Sequence, residues 1–458
     1  MNIEQTTLPK KFHDAVLHWQ RHNFPDYDLL PRYWETYFPN EPEFCLCAKM
    51  ELGMTDTIEV GDRKGEPRMT KPSEMGEDAA AHLLAIIRAQ ASTEFGSIQQ
   101  HEATLARAQD DEDRFWVLRV MAEELRHGYQ MFHMLTSQDW SSVSSQKAEE
   151  MVEEILSMRT GSHVLDAFNL DYDSFVDNVV FAAVIDRVGK YQLSMQRVCA
   201  YKPFAQSMPP MLREEAFHLA AGVIPLRRWV QRAAQGNELV TMEAIQKAFH
   251  KWMPRGLEMF GHEKGGDSNV RFGFKNLKNA EAQSQYYDEC RKMIADLNQR
   301  YVRARLPHLS PDQAESIAAG MLKDGGRTEG ITRQDLLDLP DRRFFRRKGE
   351  PAWTMIGTRG ETFDTVDDYL AHLKRQLPEP YLASRDLSVY VATLREVTAG
   401  TLAPEQASRR MPSLKRVGGV CPCSKSVRWI MEEPEGAPAM PPPRGPAAPG
   451  TAGAHGPS

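Results

Sequence analysis

The chain has few cysteines. Six among 458 residues, at 45, 47, 199, 290, 421 and 423, are too sparse for a disulfide framework and lack the Cys-x-x-Cys pairs of a zinc ribbon. Reduced, mostly structural thiols are expected. There is no basic excess either: 56 Lys and Arg stand against 63 Asp and Glu, a net charge of −7, so no field exists to hold a phosphate backbone and nucleic acid is not expected as a partner. No apolar run approaches the roughly 20 residues that a membrane helix needs, and the start, Met1 to Thr7, has no basic region followed by an apolar core. A soluble cytoplasmic protein with no membrane partner is the expectation. A Gly-x-Gly-x-x-Gly turn and an iron–sulfur cysteine set are also missing, so any electrons the chemistry needs must come from another protein.

What is present is organised in blocks. Residues 1–75 mix aromatics with Pro and acids and read as a segment of short helices and loops wrapped on something larger. His18 and His22 within it read as a surface pair. From Gly76 to about 265 the apolar spacing turns helical. Long helices are expected at about 77–108, 111–135, 173–200 and 209–234, with a short one near 146–158 in the crossover. Pro209 and Pro210 suit a first helical turn, and Pro225 should kink or split its helix. Residues 266–430 read as a smaller α+β extension, with a helix at 281–306 and a strand and turn around 344–357. The five basic residues between Arg342 and Lys348 then fall on a solvated hairpin. Residues 431–458 are expected to be a disordered tail, since Pro and Gly fill 13 of the last 25 positions and leave little to bury against the cost of ordering.

Two pairs of long helices joined by one long crossover have the connectivity of a ferritin-like four-helix bundle. The polar residues inside it carry the chemistry. Glu124-Leu125-Arg126-His127 puts a carboxylate and an imidazole one turn apart on one face, and Glu215-Ala216-Phe217-His218 repeats the pattern. Each motif follows a lone acid on the preceding long helix: Glu94 precedes Glu124 by 30 residues and Asp186 precedes Glu215 by 29. Four turns up one helix and four down the next return each acid to the height of its motif. Four carboxylates and two imidazoles thus meet in the core, where so much negative charge requires compensation by divalent cations. That is the ligand set of ferritin-like di-iron and di-manganese proteins, and hard carboxylates without thiolate favour iron or manganese. Glu94, Glu124, His127, Asp186, Glu215 and His218 are the expected metal ligands and catalytic residues, with Glu124 and Glu215 bridging. Gln90, one turn before Glu94, is a candidate for a hydrogen bond to a ligand or bound water.

The neighbours Glu123 and Glu214 point about 100° away from the motif acids and read as groups behind the ligands or at the surface. His101 reads as a satisfied core or surface histidine, and Gly189 and Gly222 as either close-packing positions or the wall of a substrate cavity. Asp368 and His372 are assigned no metal. Cys421-Pro422-Cys423, two thiols bracketing a Pro near the tail, reads as inert ahead of a redox pair or a metal clamp.

Ser92-Thr93-Glu94, Glu123 to His127, Asp186 to Leu193, Glu214 to His218 and Trp252-Met253-Pro254 through Met259-Phe260-Gly261 together resemble the oxygenase components of the aromatic acyl-CoA epoxidases. The resemblance covers about 76–265 well and 266–400 loosely. It implies two iron ions, O2 as co-substrate, insertion of one oxygen atom into the ring of an aromatic acyl-CoA thioester, and electrons from NADPH through a separate flavin and iron–sulfur reductase. Assembly with like or unlike subunits is compatible with it. Arg187, Lys190, Arg227 and Arg228 are candidates to meet CoA phosphates, against the plainer expectation of solvated helix faces. Alternatives stay open: hydroxylation of the ring in place of epoxidation, an acyl desaturase, from Glu123-Glu124-Leu125-Arg126-His127-Gly128, or another ferritin-like hydroxylase, and a non-catalytic binding or iron-oxidising ferritin-like subunit.

Overall fold

The computed structural model describes residues 2–237, 239–261, 267–348, 352–409 and 420–432. The tail expected from 431 onward lies outside the described residues except for its first two positions, which are helical. The fold is mainly α, built on a ferritin-like bundle.

Strand β1 (Ile3–Thr6) pairs antiparallel with β2 (Ala48–Glu51), and α1 (Lys10–Asn23) and α2 (Leu29–Tyr37) lie between them in the chain. The bundle follows: α3 (Glu77–Leu105), α4 (Asp111–Thr136), a crossover carrying α5 (Ala148–Ser157), then α6 (Phe175–Gln196) and α7 (Lys202–Ala234). Beyond it run α8 (Met242–Met259), α9 (Asp267–Arg271), α10 (Asn279–Arg305), α11 (Pro311–Asp324), the short strands β3 (Arg327–Thr328) and β4 (Ile331–Thr332), α12 (Val366–Gln376), α13 (Glu379–Leu382), α14 (Arg385–Thr398), α15 (Pro404–Arg409) and α16 (Ser424–Glu432).

Local chemistry sets the helix starts. Asp111, Glu112 and Asp113 open α4, where acids complement the helix dipole. Ser174 accepts the Val176 amide at 3.2 Å, and Asp177 reaches back to cap α6. Helix α7 begins seven residues before the expected position, so Pro209 and Pro210 stand inside it, and it runs unbroken past Pro225. All three prolines are buried, and their packing offsets the roughly 3 kcal/mol penalty of an interior proline.

Helix α3 packs on α4, and α6 packs on α7 and α8. The N-terminal segment grips this bundle through aromatic contacts. Trp19 of α1 meets Phe95 of α3 at 4.7 Å, Phe95 stacks on Phe132 of α4 at 5.1 Å, and Tyr129 Oη accepts the Leu8 amide at 2.8 Å.

The 342–348 segment differs from its sequence reading. Residues 342–345 form a turn, no strand is present among its described residues, and Arg346 and Arg347 are buried. Arg347 pairs with Asp386 at 2.5 Å, its backbone amide reaches Glu258, and Arg255 of α8 bonds Asp386 at 3.2 Å. The basic run is half interior: a buried charge network, not a solvated hairpin, fastens the C-terminal region to α8. Alternation and charge could not show this because the acids that compensate Arg347, namely Asp166, Glu258 and Asp386, lie far from it in the sequence.

Candidate metal centre

The bundle brings the motif residues together in mid-helix. Glu94, Glu124, Asp186 and Glu215 are 4–7% exposed, and His127 and His218 are fully buried. Two sets of three donors form, with the ligand atoms of each set within 4.8 Å of one another: Glu94, Glu124 and His127, and Glu124, Asp186 and His218. Glu124 belongs to both. Glu215 lies beside them, its Oε2 3.5 Å from His218 Nδ1, and it is in neither three-donor set. Asp186 Oδ2, Glu215 Oε2, His127 Nδ1 and His218 Nδ1 are buried and have no hydrogen-bond partner. Gln90 Oε1, one turn before Glu94, is likewise buried and unpartnered.

Each imidazole is backed by the acid that precedes the other motif. His127 Nε2 bonds Glu214 at 3.0 Å, and His218 Nε2 stands 3.2 Å from Glu123. A carboxylate at Nε2 holds a proton there and leaves Nδ1, on the centre's side, as a lone-pair donor. Behind Glu214 are Arg126 at 2.6 Å and Lys49 of β2 at 2.9 Å. Behind Glu123 is Arg119 at 2.9 Å, whose guanidinium lies 3.9 Å from the Phe217 ring centre. Glu123 and Glu214 therefore stand behind the two imidazoles. Arg119, Arg126 and Lys49 had no distinguishing signal except that Arg126 sits inside a motif, on a helix with apolar neighbours.

Protonation follows from crowding. Burial, then the Glu94 carboxylate beside it, pushes Glu124 well above the usual carboxylate range. Burial raises Asp186 to about 8, with Glu215 and Glu94 adding to it. Burial also opposes ionisation of Glu94, but its hydrogen bond with Glu124 and the two imidazoles bring it below its ordinary value. Both histidines overcome burial and are raised, His127 by Glu214 and Glu94, His218 by Glu215 and Glu123. Burial disfavours a charged Glu214, yet Arg126 and His127 hold it well below the carboxylate range. Shared protons therefore balance the charge of the metal-free core. Divalent cations displace such protons, and the donor set of carboxylates, two neutral imidazole nitrogens and orphaned buried atoms fits two hard or borderline metal ions.

The glycines settle the choice left by the sequence. A Cβ on Gly222 would lie 2.3 Å from the Ala183 backbone nitrogen, so α6 and α7 touch backbone to backbone there. A Cβ on Gly189 would lie 2.9 Å from Glu215 Oε1, so this glycine leaves room for the Glu215 carboxylate. Both permit close approach.

Other candidates lie elsewhere. His101 is fully buried, with Nδ1 2.7 Å from Asn178 Oδ1. His372 Nε2 accepts the Thr358 amide at 3.2 Å. Of the residues considered for CoA phosphates, Arg187, Lys190, Arg227 and Arg228 pair with Glu289, Glu289, Asp296 and Asp113 respectively. Among the described residues no helix is long and apolar enough to cross a membrane.

Residues 55–304 match the model of the phenylacetic acid catabolic protein family. The chain is also similar to "Benzoyl-CoA oxygenase component B" of Aromatoleum evansii, with 27% identity over 186 residues, and this match spans 39% of the length of each protein.

Proposed function

Since the chain belongs to the phenylacetic acid catabolic protein family, we propose that it is the oxygenase component of an aromatic acyl-CoA monooxygenase with a di-iron centre. The observation that carries the reading is the pair of three-donor sets sharing Glu124, each with an imidazole whose far nitrogen faces a carboxylate beside the other motif. The relative's name, an oxygenase component of a benzoyl-CoA system, supports the substrate class and a separate electron donor.

Glu94, Glu124 and His127 would hold one iron, and Asp186, Glu124 and His218 the other, with Glu215 beside His218 as a further carboxylate donor. When bound, the two irons supply O2 activation and transfer of one oxygen atom to the ring. The chain's own contribution is arrangement. Glu214 and Glu123 face the far imidazole nitrogens, Arg126 and Lys49 hold Glu214 ionised, Arg119 pairs with Glu123, and the apolar run Val179–Ile185 keeps water from the α6 side. Electrons would come from an NADPH-dependent flavin and iron–sulfur reductase.

The test is a single turnover. Iron-loaded protein is reduced, exposed to O2 with benzoyl-CoA or phenylacetyl-CoA, and the product weighed. Gain of one oxygen atom supports the reading. Loss of two hydrogens supports a desaturase instead, and an unchanged thioester with full iron occupancy rejects this substrate class.

A further inference from the structure

Cys421-Pro422-Cys423 lies away from the metal centre, at the seam between α16 and the helices beneath it. Both thiols are 2% exposed, and their sulfurs are 2.6 Å apart. The motif is pinned at both ends. The Cys421 amide donates to Ser157 O at the end of α5, and the Cys423 carbonyl accepts the Val427 amide in the first turn of α16, which buries Val427 and Met431.

One side chain addresses both sulfurs. Asn23, at the end of α1, has its Nδ2 3.6 Å from Cys421 Sγ and 3.7 Å from Cys423 Sγ. Its Oδ1 accepts from Gln99 Nε2 at 2.9 Å, and Gln99 is on α3, five residues beyond Glu94. Two other buried cysteines differ: burial pushes the Cys199 and Cys290 thiols up to about 12, which leaves them inert. Cys421 is drawn down to about 6, first by its hydrogen bond from the Cys423 thiol, so its thiolate is populated at neutral pH with the second sulfur already in contact.

We propose that Cys421 and Cys423 form a reversible dithiol–disulfide site that is oxidised by hydrogen peroxide. The Cys421 thiolate attacks one peroxide oxygen and breaks the O–O bond. The leaving hydroxide takes a proton and departs as water, leaving a sulfenic acid on Cys421. The Cys423 sulfur then displaces the sulfenic oxygen, which leaves as a second water with the Cys423 proton. Two thiols and one hydrogen peroxide become one disulfide and two waters, and the sulfurs are the two-electron reductant. The product has neither the thiolate nor the S–H beside Asn23, so the state of the pair is felt at a residue bonded to the helix that carries Glu94.

The experiment is peroxide treatment of the folded full chain, followed by alkylation, digestion and mass spectrometry. The peptide spanning 421–423 should lose two hydrogens and resist alkylation and regain both on addition of dithiothreitol, and the loss of two hydrogens should be absent in Cys421→Ser and in Cys423→Ser. Full alkylation of both sulfurs after peroxide overturns the proposal, as does stable addition of oxygen to one sulfur without disulfide. A disulfide that forms only after unfolding also overturns it. None of these readouts depends on metal or substrate.

Discussion

Replacing Gly222 by Ala tests the packing that holds the two halves of the centre together. Ordinarily Ala is about 1 kcal/mol better than Gly inside a helix. Here the new methyl would lie 2.3 Å from Ala183 N and 2.8 Å from both Ala182 C and Ala183 Cα, all backbone atoms with no rotamer to swing aside. Relieving the overlap requires α6 and α7 to part by about 1 Å, and such overpacking costs about 1–3 kcal/mol. With no side-chain escape the upper end applies, so the net loss is about 2 kcal/mol. Gly320 in α11 is the control, since a Cβ there meets nothing within 4 Å and Gly320→Ala should gain about 0.5–1 kcal/mol. Urea unfolding of metal-free protein should therefore move in opposite directions for the two variants. Separation of the helices also moves His218, one turn before Gly222, away from Asp186, so Gly222→Ala should bind iron more weakly. A Gly222→Ala protein as stable as Gly320→Ala would refute the backbone contact and the close packing of the halves.

Other consequences follow from the same geometry. Glu214→Gln keeps the shape but loses the charge that faces His127, Arg126 and Lys49, and iron affinity should fall about 10–100-fold by equilibrium dialysis, a size typical of groups behind metal-bound histidines. Arg347→Met removes a fully buried partner of Asp386 and should cost about 3 kcal/mol by thermal or urea unfolding; an unchanged midpoint would show that Arg255 alone satisfies that carboxylate. Burial holds His101 and His250 down to about 4, so both stay neutral in the folded state while the unfolded chain takes up their protons below about 6.5. Stability should fall as pH drops through that value, by about 2 kcal/mol for each residue at pH 5, and His250→Gln should flatten the slope by about 1.4 kcal/mol per pH unit.

The bundle was legible because its information is local and periodic. Helix spacing, the paired Glu-x-x-His motifs and the acids one helix earlier follow from 3.6 residues per turn. The start of α7 was misplaced because a helix propensity argument cannot see that Pro209 and Pro210 are buried by other elements. The exchange of supporting carboxylates, Glu123 to His218 and Glu214 to His127, depends on how α4 faces α7, which spacing along one helix does not encode. The buried network of Arg255, Arg347, Asp386 and Glu258 escaped for the same reason: each charge looks solvated until its distant partner is found.

The most direct test of the two-metal centre is an anaerobic titration of metal-free protein with iron(II), run on wild type and on Glu124→Ala. Because Glu124 belongs to both donor sets, the wild type should take up two irons per chain with release of protons, and the variant should lose both ions together. A wild type that binds no iron, or a Glu124→Ala protein that still holds two, would contradict the account.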